Sequence, residues 1–306
     1  MGSVLTKREG ARWFAPIAGV SSMSSALAGY FLGHLVQKFG ISSLLLMTAG
    51  SIIASLIFAE KAYHISEVNG FDPAKEHTKF QKAERDGKEG KNSFRKAADL
   101  FKRVPTLQAL FLETLACQGL STVMNVAFVT QAKATFEVDA SRATWMGRFY
   151  SLANLSSGFF QFGVIPRIMP LLEPRHCWIF MPAIMTAFNV LQFLNKNSSL
   201  FIVSLGFLSM KTLEYSLRGV VNEMLYVPLD FESRYVGKEV IGMFGYRLGK
   251  SGTSIALTVL ARMMGNFNID SLMSIATVSS SIWLFFALRL SDHVPLRRAG
   301  ATKKRN

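Results

Sequence analysis

Apolar residues along this chain gather into long runs separated by short polar joints. Eight runs read as membrane-spanning helices: 13–37, 41–63, 105–131, 144–166, 177–195, 199–224, 239–263 and 271–290. At about 1.5 Å per residue, runs of about 20 residues or more cross the roughly 30 Å of hydrocarbon in a bilayer. The punctuation agrees. Gly40 separates the first two runs, Pro105 opens the third, and Asn195-Lys196-Asn197-Ser198 divides the fifth from the sixth. Ser22, Ala26, Gly29 and Gly33 form a small-residue stripe on the first run, which invites close approach of another helix. The pattern predicts an all-α polytopic membrane protein with about eight transmembrane helices.

One joint stands apart. Residues 64–104 hold ten Lys/Arg and seven Asp/Glu and read as a hydrophilic loop between two groups of helices. The predicted organisation is two spans in 1–63, a central loop over 64–104, and a six-span bundle with a basic tail over 105–306. The stretch Phe94 to Val104 suits a short amphipathic helix along the membrane surface.

Composition narrows the function classes. Half of the 306 residues are hydrophobic and only 18% are charged, which excludes an ordinary soluble enzyme. The net charge of +14 does not point to nucleic acid, because the basic residues lie between and beyond the apolar runs. With eight spans, 24 of the 34 Lys/Arg fall on the side shared by both termini and the long loop, and six fall on the other. That bias places the termini and the loop on the cytoplasmic side of a lipid bilayer. Cys117 and Cys177 sit in or beside apolar runs and read as small buried hydrophobes. The five histidines have no metal-ligand spacing, and no cofactor motif or catalytic constellation is present, so the sequence predicts no enzyme.

Charges inside a span cost free energy and mark candidate sites. In the sixth run Lys211, Glu214, Arg218 and Asn222 share one face at helical spacing. The seventh adds Arg247 and Lys250 three residues apart. Excess positive charge in a membrane cavity suits an anionic, phosphorylated substrate. Structural cross-linking of helices by Lys211–Glu214 or Glu214–Arg218 is the alternative. Milder polar stripes run along the third span (Thr114, Gln118, Ser121 or Thr122, Asn125) and the fourth (Ser151, Asn154, Gly158, Gln161). Gly245-Tyr246-Arg247-Leu248-Gly249-Lys250-Ser251 imitates a phosphate loop, but Phe244 stands where a glycine is required and no strand precedes it.

The stretch Glu223-Met224-Leu225-Tyr226-Val227-Pro228-Leu229-Asp230, followed by Gly237-Lys238-Glu239 and Leu248-Gly249-Lys250-Ser251-Gly252, resembles the signature of the ATP/ADP translocases of plastids and intracellular bacteria. Lys211 and Tyr215-Ser216-Leu217 also match, as do Arg12-Trp13-Phe14-Ala15-Pro16 and Ala98-Asp99-Leu100-Phe101-Lys102 farther back, so the resemblance runs from about residue 8 to 290. It implies a major-facilitator-type fold of two six-span bundles that exchanges ATP for ADP, or a related phosphorylated anion, in a plastid or other organelle envelope. Lys211, Arg218, Arg247 and Lys250 would then attract phosphate, Glu214 would hold and tune them, and Asn125 and Asn222 would bond base or ribose. The family carries an acidic residue at the place of Asn125 and a lysine at that of Asn222. Against the family pattern only the last two spans of the first bundle are expected here, which implies either a gene fragment or a partner chain supplying the rest. The alternative is a transporter-derived structural or assembly protein that moves nothing.

Overall fold

The computed structural model describes residues 7–68, 93–169, 172–195, 199–226, 228–230, 232–265 and 267–294. Among them there is no strand. Helix α1 is Lys7–Val68, α2 is Ser93–Arg103 and α3 is Pro105–Thr135. Helix α4, Asp139–Phe159, runs on through a π-helical turn at Phe160–Val164 to Ile168. Helix α5 is Pro174–Asn195. Helix α6, Leu200–Leu213, passes through a second π-helical turn at Glu214–Arg218 into α7, Gly219–Tyr226. Two further π-helical turns, Ser233–Gly237 and Ile241–Gly245, lead into α8, Tyr246–Met264, and α9 is Ile269–His293.

Five described stretches are long and apolar enough to cross a membrane: Leu46–Ile65, Pro105–Thr135, Arg175–Leu194, Leu200–Tyr226 and Ile269–His293. The expected spans 144–166 and 239–263 are helical but more polar, the second carrying Glu239, Arg247, Lys250 and Arg262. An all-α, multi-pass membrane architecture follows.

The first two expected spans are not separate helices. Helix α1 runs unbroken through Gly40, and its 62 residues extend about 93 Å at 1.5 Å per residue. A single glycine costs only about 1 kcal/mol inside a helix, and the flanking Phe39 and Ile41 offer no turn chemistry. The stretch Leu46–Ile65 is wholly exposed, so no packed partner folds it back. The earlier half does pack, against α4. Ser151 Oγ donates to the Ala26 carbonyl at 2.7 Å, and a side chain at Gly29 would come within 3.3 Å of the Gly147 carbonyl. Three of the four small residues thus line a close helix contact; Gly33 lies outside the described side chains.

Helix α3 forms the axis of the bundle, touching α6, α8 and α9, while α5 packs on α9. Its apolar positions, including Leu107, Leu110, Leu120, Val123, Ala127 and Phe128, are fully buried. Phe128 gathers Trp145, Phe149 and Phe207 around it at ring separations of 4.3 to 5.3 Å. The sequence that imitates a phosphate loop is instead a glycine contact. A Cβ on Gly249 would lie 2.7 Å from Gln118 Cβ, and one on Gly245 would lie 3.3 Å from Thr114 Cγ2. The Gly245-x-x-x-Gly249 spacing lets α8 and α3 meet nearly backbone to backbone.

Candidate functional site

Against this packing the polar residues of α3 fall on a stripe: Glu113, Thr114, Gln118, Ser121 and Asn125. Opposite it run α6, the π-helical turn and α7, which carry Lys211, Glu214, Arg218 and Asn222. In an ordinary helix Glu214 and Arg218 would lie about 40° apart and could pair. The π-helical turn between them is wider and sends the two side chains to different partners.

Arg218 turns to α3. Its Nη2 donates to Glu113 Oε2 at 2.8 Å and its Nε to Glu113 Oε1 at 3.3 Å, a bidentate pair. The two side chains are 2% and 0% exposed. Arg218 also donates to Thr114 Oγ1 at 2.9 Å and to the Tyr246 hydroxyl at 2.6 Å. Trp283 Nε1 donates to Glu113 Oε1 at 2.7 Å, and the guanidinium faces the rings of Trp178 and Tyr246. The Arg218–Glu113 pair therefore joins α3, α5, α8 and α9 to the π-helical turn. Buried charges survive in an apolar bundle only when paired and saturated with hydrogen bonds in this way.

Lys211 makes the second pair. Its Nζ donates to Glu214 Oε2 at 2.8 Å and to Ser121 Oγ at 2.9 Å, and it faces the rings of Phe207 and Tyr215. Gln118 Nε2 donates to Glu214 Oε1 at 2.8 Å. Both charged side chains are 9% exposed, more than the Arg218–Glu113 pair. Beside them Gln161 Nε2 donates to the Tyr215 carbonyl at 2.8 Å, and Ser22 donates to Gln161 Oε1 at 3.1 Å, which ties α1 and α4 to the π-helical turn.

The other expected residues are placed differently. Asn125 Oδ1 accepts from the Tyr150 hydroxyl at 3.2 Å. Asn222 is half-buried, and its Oδ1 has no hydrogen-bond partner among the described residues. Arg247 and Lys250 lie on the exposed side of α8 and form no ion pair among the described residues. Of the expected set, Lys211 and Glu214 pair at the bundle edge and Arg218 lies in its interior; of the two alternative cross-links, Lys211–Glu214 is formed and Glu214–Arg218 is not. Glu113 was missed. The sequence signal for its presence is that it is the one acidic residue in a 31-residue apolar helix, and charge in a span points to a site.

The end of the bundle carries a separate set of ion pairs. Arg103, at the C-terminus of α2, reaches Glu232 at 2.6 Å and Asp230 at 3.7 Å. A hydrogen bond from Ser233 holds the Asp230 carboxyl below the usual carboxylate range, with Arg103 adding to the effect, and the Glu232 hydrogen bond and charge raise the Arg103 guanidinium. Lys238 pairs with Glu223 at 2.6 Å, and Arg234 donates to the carbonyls of Tyr226 and Leu229. The signature stretch 223–238 is thus a clasped turn between two membrane helices.

A family model described as TLC ATP/ADP transporter matches residues 5–293. The ADP,ATP carrier protein 1 of Chlamydia trachomatis serovar D is 24% identical over 300 residues, covering 90% of this chain and 55% of that protein. The chain spans about half the length of this curated relative. No solved structure is significantly similar.

Proposed function

Because the chain belongs to the TLC ATP/ADP transporter family, we propose that it is a multi-pass membrane carrier of adenine nucleotides, exchanging ATP for ADP, and not an enzyme. The observation that carries this reading is a buried lysine, Lys211, held at the edge of an apolar bundle by Ser121 on α3 and by Glu214 on the π-helical turn. An ammonium placed beside a hydroxyl and a carboxylate that it can exchange is a ready ligand for phosphate oxygens. In this reading Arg218 is not a phosphate ligand, since Glu113, Thr114 and Tyr246 already take its donors. Arg247 and Lys250, exposed on α8, draw anions toward the bundle through their field. Asn125 and Asn222 supply the amide groups for base or ribose. The 64–104 joint and the basic C-terminus, which six spans separate, face the cytoplasmic side, following the distribution of Lys and Arg. An organelle envelope such as that of a plastid is the membrane the family resemblance favours.

The test is counter-exchange. Protein reconstituted in vesicles loaded with ADP is expected to take up labelled ATP, and Lys211→Ala is expected to abolish uptake. Absence of adenylate uptake in vesicles that hold folded protein, or full uptake by Lys211→Ala, would sink the reading and favour a structural or assembly protein.

A further inference from the structure

The two buried ion pairs are not equivalent. Glu113 and Arg218 are sealed, with side chains 0% and 2% exposed, and Arg218 is bound on several sides. Glu214 and Lys211 sit at the bundle edge, each 9% exposed, beside Tyr215, which is 40% exposed. A lysine ammonium has three N–H donors. Among the described residues two are used, on Glu214 Oε2 and Ser121 Oγ. One donor is left for an incoming acceptor. The other carboxylate oxygen, Glu214 Oε1, is held independently by Gln118 Nε2 at 2.8 Å. Glu214 can therefore leave Lys211 without losing its anchorage to α3.

We infer that Glu214 is an internal counter-anion, occupying on Lys211 and Ser121 the position that a phosphate group of the substrate takes when it binds. The inference rests on the reading of the protein as a carrier of phosphorylated anions and adds the residue that sets their affinity. A carboxylate and a phosphate offer the same kind of acceptor to an ammonium, so they compete for it. With no substrate bound, Glu214 keeps Lys211 from standing as an uncompensated charge in the bundle, which is costly. When substrate arrives its phosphate takes over Lys211, and the displaced carboxylate stays on Gln118. The competition weakens binding. A carrier needs that, because a cargo held too tightly is not released. The sealed Glu113–Arg218 pair takes no part and serves as the fixed frame against which the exchange happens.

The experiment is binding of ADP and of inorganic pyrophosphate to the purified full-length chain in detergent, by calorimetry. Wild type, Glu214→Gln, Glu214→Asp and Lys211→Gln are compared, with thermal melting to confirm folding. Glu214→Gln is expected to bind both probes on the order of tenfold more tightly, the difference of about one charge-assisted hydrogen bond. Glu214→Asp keeps the charge but is one methylene short of Lys211, so it shows the same direction if the glutamine variant does not fold. Lys211→Gln is expected to bind neither probe. Equal or weaker binding by the Glu214 variants overturns the inference, and if ADP still binds wild type the carrier reading stands without it. Pyrophosphate binding that tightens in the variants while ADP never binds supports the counter-anion and overturns the adenine-nucleotide reading. No binding of either probe to any form overturns both.

Discussion

Replacing Glu113 by Gln is the most informative single change in this molecule. It removes the charge opposite a fully buried guanidinium and leaves one amide oxygen to serve both Arg218 and Trp283. Removing one partner of a buried ion pair costs about 3–5 kcal/mol, because the remaining charge stays out of water. An unmet Trp283 N–H would add about 1–3 kcal/mol. At roughly 2–4 °C per kcal/mol for a chain near this size, the melting temperature in detergent should fall on the order of 10 °C. Arg218→Gln alone should cost a similar amount. The double variant Glu113→Gln/Arg218→Gln removes both charges and leaves two amides that can bond to each other, so most of the loss should return. A double-mutant cycle would then show coupling above about 2 kcal/mol. Single variants within about 0.5 kcal/mol of wild type, or losses that simply add, would refute the account of Arg218 as a paired structural pin.

Other outcomes follow from the same geometry. Gly249→Val places methyl groups where even a Cβ would stand 2.7 Å from Gln118, so it should destabilise by at least about 1–3 kcal/mol in a thermal melt, whereas Gly252→Ala, with open space around it, should be nearly silent. Asp230 has a depressed carboxyl, so its contribution to stability is present above the ordinary carboxylate range near about pH 4 and is lost as pH falls through its lower folded value. Asp230→Asn should therefore flatten the acid side of a melting-temperature profile, and an unchanged acid limb would contradict the role given to Ser233 and Arg103. Arg247→Gln/Lys250→Gln should slow nucleotide uptake at low salt and converge on wild type at high salt, as long-range steering by exposed charges requires; a salt-independent loss would mean direct contact instead.

Much of this was legible in the sequence, and each miss has its own physical cause. Apolar runs foretold the helices because burial in a bilayer demands length and apolarity together, and Ser93–Arg103 is a short helix where the pattern over Phe94 to Val104 suggested an amphipathic one. Of the stripe, Thr114, Gln118 and Ser121 do face charged side chains of α6 and the π-helical turn, while Asn125 faces Tyr150. The pairing could not be read, because helical-wheel geometry assumes an unbroken α-helix and the π-helical turn at Glu214–Arg218 leaves no mark in composition. The role of Glu113 could not be read for another reason: it has no charged neighbour in sequence, and its partner lies 105 residues away. Gly40 misled in the opposite way, since a glycine permits a break without enforcing one.

Among the described residues, the two ion pairs of the bundle set Lys211 and Arg218 against Glu214 and Glu113, so these four charges sum to zero. A transmembrane voltage acts on net charge displaced, at about 2.3 kcal/mol per elementary charge per 100 mV. A bundle that is neutral inside can tilt between two orientations without doing electrical work on its own core. Sensitivity to voltage would then come from the exposed Arg247 and Lys250 and from the cargo, and an exchange of unequal anions would carry current set by their difference alone.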